Sequence, residues 1–291
     1  AMNSLLAADG SAIALVVIPQ ALDDSFRHLA LEQEIVALVE ENRLESYLTA
    51  MAGEIATDVA QMRAILRDNM IFIPTTVLVG LILIWWLFHR WMAVIITGIV
   101  TGAVVSSTIA FYVIFRQPFN SIAGIIPPLL SALTIAALVH FFNALQYASR
   151  RGLSGNDRVQ SALSQIRRPA LFSALTTSAG LASLGLSPIP PISTFGLTAA
   201  AGVFLIYLIV IHLLPPIFSR YDNRQWPPHK AGLGLMDVMV KGLFHTGIRY
   251  PIWVLGFTLM ILAATIPQIF KVDVETNILE FFPPSHSLRQ A

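Results

Sequence analysis

From residue 69 to residue 221 the chain carries a single carboxylate, Asp157. Eleven of its 17 acidic residues precede that stretch and five follow it. An ionised carboxylate at the centre of a bilayer costs roughly 2.5–3.5 kcal/mol by insertion scales. A long apolar stretch that excludes carboxylates is therefore what a membrane domain demands. Composition agrees: 12% of residues are charged, about half of what soluble domains carry. An ordinary soluble enzyme and a disordered chain are both excluded on that ground. The formal net charge of +1 offers no bulk basic surface for nucleic acid. With no cysteine, disulfides, thiolate metal sites and cysteine nucleophiles are excluded.

A helix needs about 20 mostly apolar residues to cross the hydrocarbon core. Six segments meet or approach that length: 70–88, 92–115, 125–146, 170–187, 195–218 and 251–269. The gaps after the first, third and fifth hold eleven lysines and arginines, from Arg90 to Arg249, whereas the other two gaps hold only Arg116. By the positive-inside rule the arginine-rich gaps are cytoplasmic, so both ends of the chain lie outside. Trp91, Tyr147 and Trp253 fall near span ends, where amphipathic rings favour the interface.

Ahead of the spans, residues 1–69 read as a small extracytoplasmic β-α-β-α head. Residues 8–11 form a turn, 11–19 a strand, 24–42 a helix capped by Asp24, 44–52 a second strand, and 56–69 a helix that runs into the first span. The fold class expected is thus mainly α: a polytopic membrane bundle of six transmembrane helices with a small α+β head fragment. The divisions are 1–69 (head), 70–218 (five-helix bundle), 219–250 (cytoplasmic connector), 251–270 (sixth span) and 271–291 (start of a second extracytoplasmic domain). Residues 228–247 read either as an amphipathic helix on the cytoplasmic surface or as a plain connector. Pro127 and Pro128 mark a helix start or a hinge. Gly98, Gly102 and Ser106, and the line Gly196, Ala200 and Phe204, are small-residue steps that predict close helix packing.

The residues 171–218 then resemble a known family. Ser173, Thr176, Thr177, Gly180, Leu184, Ser187, Phe195, Gly196, Ala200, Gly202, Leu214 and Pro215 follow the pattern of the RND superfamily, with Leu181 where that pattern has Phe. Ile135, Ala136, Val139, His140 and Asn143 are similar to the fourth helix of its lipid-exporter branch, the MMPL-like proteins. The resemblance covers almost the whole chain. It implies one repeat of a duplicated transporter, with ends in periplasmic loops of a bacterial inner-membrane protein. A proton-driven exporter of lipids or other hydrophobic compounds is the implied activity. The implied partners are that substrate, a second repeat or another copy of the chain, and periplasmic proteins.

In this family the fourth helix carries an aspartate for the proton. Here that position is Ala137, and a methyl group carries no proton. His140, one turn on, is the remaining titratable group of the helix, and histidine titrates near neutrality. It reads as a proton relay or as a neutral histidine bonded to a neighbouring helix. Asn143 lies a further turn along. Ser173 and Thr177 could add hydroxyls, or merely bond the backbone. His212 is a weaker candidate near the cytoplasmic end of the fifth span. No HExxH, GxSxG, GxGxxG or Walker pattern occurs, so neither an enzyme nor a bound cofactor is expected. The loss of the aspartate leaves a second reading open, a lipid- or sterol-sensing scaffold that pumps nothing.

Overall fold

The computed structural model describes residues 13–19, 24–115, 117, 121–222, 224–227 and 234–269. Helix α1, Ser25–Glu41, starts where Asp24 accepts the Phe26 N–H at 3.0 Å. Helix α2, Glu54–Phe88, has 35 residues, about 52 Å at 1.5 Å per residue, far more than the roughly 30 Å hydrocarbon core. Its first four turns carry Glu54, Asp58, Arg63, Arg67 and Asp68 and belong outside the bilayer. There α1 packs against it: His28 Nδ1 lies 2.7 Å from Asp58, Ser25 donates to Asp58 at 3.2 Å, and Arg63 pairs with Glu32 at 2.5 Å.

Among the described residues, five helices are long and apolar enough to cross a membrane. They comprise α2; α3, Trp91–Ile114; α4, Ile126–Arg150; α5, Gly155–Ser183; and the run from α6, Pro190–Leu208, through a π-helical turn at Ile209–Leu213 into α7, Leu214–Tyr221. His89, with φ of 49°, takes the left-handed conformation that turns α2 into α3. Helix α4 is the axis of the bundle and packs against α2, α3, α5 and α6. Leu130, Leu138, Phe141, Phe142 and Leu145 on it are fully buried. Pro127 and Pro128 lie in its first turn, a helix start, where their missing donors cost nothing. The connector forms helix α8, Gly234–Arg249, and the expected sixth span forms helix α9, Pro251–Ile269. Residues 251–266 of α9 are exposed throughout.

The head differs from expectation. Ile13 makes an isolated bridge, and 14–19 have no regular structure. The strand expected at 44–52 is replaced by a 3₁₀ turn at Glu45–Tyr47. A strand is stabilised by a neighbour across the ladder, and among the described residues neither segment has one. The predicted turn at 8–11 and the domain start at 271–291 lie outside the described residues.

The small-residue lines separate into two kinds. A Cβ added at Gly196 would lie 2.5 Å from Leu184 Cβ and 2.6 Å from the Leu181 carbonyl. Backbone cannot yield as a side-chain tip can, so Gly196→Ala should destabilise the bundle by about 1–3 kcal/mol. A Cβ at Gly102 would meet nothing within 4 Å, and Ser106 is exposed. Gly98 is half-buried, and a Cβ there would touch Leu81 of α2 at 4.0 Å; the close packing predicted for Gly102 and Ser106 is absent among the described residues. Gly102→Ala should leave the thermal unfolding midpoint in detergent unchanged or slightly raised, while Gly196→Ala lowers it.

Candidate functional site

Helices α4, α5 and α6 enclose a cavity of about 370 Å³, within the size range of small-ligand sites. Leu133, Ala136, Ala137 and His140 form the α4 wall, and Val203, Ile206, Tyr207, Val210 and Ile211 the opposite one. Helix α5 supplies Gln165, Ile166, Pro169, Ala170, Ser173, Ala174 and Thr177. Their spacing of three to four residues is what one face of a helix provides. His140, Ser173 and Thr177, three of the four predicted residues, thus line one space. Asn143, the fourth, is exposed on α4 and is not part of the wall. Its i+3 step from His140 turns it around the axis by a further 60°, beyond the wall. His140 and Ser173 are themselves exposed at the cavity's open side.

Two backbone features leave carbonyls of cavity-wall residues short of helical donors. Pro169 lacks an N–H, so the Gln165 carbonyl four residues earlier has no helical donor. Pro215 and Pro216 remove two more donors after the π turn Ile209–Leu213, where Leu214 N–H bonds the Ile209 carbonyl. The carbonyls at 210–212 consequently share too few donors, and Val210 and Ile211 belong to the cavity wall. A π turn inside an α-helix is often found at a functional site. Tyr207, which the sequence reading did not single out, brings a phenol to the wall, and the exposed His212 ring meets its edge at 6.1 Å between centroids. The spacing of Tyr207 from Val203 and Ile211 was the available signal. Among the described residues no group of three histidines or carboxylates could hold a metal ion.

A second polar cluster, which no local pattern along the chain announces, closes the arginine-bearing end of the bundle. Asp222, 1% exposed, sits between Arg90 from the α2–α3 corner and Arg158 from the first turn of α5. Arg158 is fully buried, lies 3.0 Å from Asp222 Oδ2, and donates to the carbonyls of Asp222 and Arg224, the latter at 2.8 Å. Trp226 Nε1 donates to Asp222 Oδ2 at 2.7 Å, and the Arg90 guanidinium lies over the Trp226 ring, 5.3 Å from its centroid. Burial first, then the guanidiniums of Arg158 and Arg224, pull the Arg90 pKa below its ordinary value. The Trp226 ring packs against Phe88, Phe142 and Phe218 at 5.7–6.4 Å.

Comparison with known proteins adds one finding. A family model described as the MMPL family matches residues 1–235. No curated protein and no solved structure matches the chain.

Proposed function

The chain belongs to the MMPL family of RND-type membrane transporters, and from that premise we propose that it is a segment of a secondary transporter that exports lipids or other hydrophobic compounds, driven by the proton gradient. It is a multi-pass membrane protein. The observation that carries the reading is the gathering of His140, Ser173 and Thr177 around one cavity within the spanning bundle.

His140 is the proton carrier in this reading. An imidazole accepts a proton on one ring nitrogen and releases it when its surroundings change. Among the described residues no carboxylate lines the cavity, so a charge gained there meets no counter-charge. Protonation therefore biases the bundle toward a conformation that hydrates the site, and release reverses it. The hydroxyls of Ser173 and Thr177 and the freed carbonyls hold the water through which the proton moves. A cavity of this volume has room for several waters, each occupying about 30 Å³ in the liquid.

The exposed His140, Asn143 and Ser173 favour a covering partner, because polar groups facing lipid are costly. We assign that role to a second repeat or to another copy of the chain. Helix α9 serves as the sixth span and α8 lies on the cytoplasmic surface. In this arrangement the protein resides in a bacterial inner membrane with both ends of the chain periplasmic, open to periplasmic partners. The methyl groups of Ala136 and Ala137 in the cavity wall favour the second reading, a lipid- or sterol-sensing scaffold.

Proton dependence separates the two. In proteoliposomes, collapse of the proton gradient should abolish movement of a fluorescent hydrophobic probe. Transport that persists without the gradient would rule out the proton-driven pump. Probe binding with no transport in any gradient would establish the sensor.

A further inference from the structure

The geometry points to a closed gate at the cytoplasmic end of the bundle, in which Trp226 is the lid and Asp222, held between Arg90 and Arg158, is the latch. What the gate controls rests on the reading of His140 as the proton carrier.

Residues 224–227, after α7, have no regular structure, yet they are received as though by a socket. Irregular backbone leaves its polar groups without ladder partners, and burying them is costly. Here the bundle's side chains supply the partners. Arg158 serves the carbonyls of Asp222 and Arg224, Arg90 that of Gln225 at 3.2 Å, and Gln146 that of Pro227 at 3.0 Å. Ser149 Oγ accepts the Trp226 N–H at 2.9 Å. A plain connector between α7 and α8 would need none of this.

The floor that Trp226 completes lies next to the cavity. Phe141 directly follows His140 on α4, and its ring packs edge-on against Phe218 at 5.4 Å and against Phe142 at 5.9 Å. Phe142 and Phe218 in turn meet Trp226. Along α4 and α7 the phenylalanine rings follow the cavity-lining His140 and Ile211 toward the arginine-bearing end, and they offer no hydrogen-bonding groups there. Among the described residues the charges beneath them are unbalanced: two guanidiniums share one carboxylate, and Arg158 Nε is buried without a partner. Surplus positive charge repels protons, as arginines do at pore constrictions. Asp222 is the carboxylate that offsets both guanidiniums among the described residues and also accepts the Trp226 Nε1–H. With the lid seated, a proton on His140 has no exit on that side. Lifting Trp226 opens one.

The absence of native cysteine makes the test direct. Ser149→Cys places one thiol under Trp226. In inside-out vesicles that thiol should resist a water-soluble maleimide, and adding Trp226→Ala should speed its labelling about tenfold or more, the change that about 1.4 kcal/mol of local opening brings. Thr134→Cys, in the buried core, should stay protected in both backgrounds. If it does not, Trp226→Phe, which keeps a ring and loses the bond to Asp222, takes the place of Trp226→Ala. The same lid variant should dissipate an imposed pH gradient in the absence of substrate, and His140→Ala should suppress that leak without slowing labelling. Equal labelling with and without Trp226 overturns the gate, as does fast labelling without a leak. A leak that survives His140→Ala upholds the gate and overturns the role of His140.

Discussion

Asp222→Ala should destabilise the protein by about 3–5 kcal/mol, the range found when one partner of a buried ion pair is removed. The size follows from what is left behind. Arg158 is fully buried and cannot turn to water, so its guanidinium would face that of Arg90 with no counter-charge. Trp226 Nε1 would lose its acceptor in the same step. Thermal unfolding in detergent would show the loss as a clear drop in midpoint. Combining Asp222→Leu with Arg158→Met should recover much of it, because a buried pair replaced by apolar groups of similar volume is often neutral. An unchanged midpoint in Asp222→Ala would mean that the cluster contributes nothing to stability.

His140→Ala should lower proton-driven transport by roughly a hundredfold or more, the contribution typical of a positioned proton-transfer group. The fold should tolerate it, since the side chain is exposed at the open side of the cavity. Asn143→Ala should do much less, because Asn143 is not part of the wall. The measurement is the initial rate of probe uptake into inside-out vesicles under an imposed pH gradient, with the amount of inserted protein held equal. Undiminished uptake in His140→Ala would remove the residue from the proton path. Lost uptake with intact probe binding is the outcome that assigns it there.

How much of this was legible in the residues differs from element to element. Five of the six expected membrane helices were, because hydrocarbon excludes charge and the carboxylate-free stretch records that exclusion along the chain. The shared wall of Ser173 and Thr177 was also legible, since an i+4 step places two side chains on one helix face wherever the helix packs. The head strands did not form among the described residues because a short apolar run reports only a capacity for pairing, whereas a strand exists only with a partner. Gly102 and Ser106 were misread for a related reason: small residues permit close approach, and only the neighbour decides whether it happens.

Local sequence by itself determined where this chain is helical, where charge had to stand outside the bilayer, and which turn of α4 retained a titratable group. Each of these follows from helix periodicity or from the cost of charge in hydrocarbon, and both act over a few residues. The tertiary structure alone decided that Tyr207 shares a cavity with His140, that Asn143 does not, and that Asp222 joins two arginines 132 and 64 positions away. Contacts between side chains so far apart depend on how the helices cross, and no local pattern along the chain encodes that.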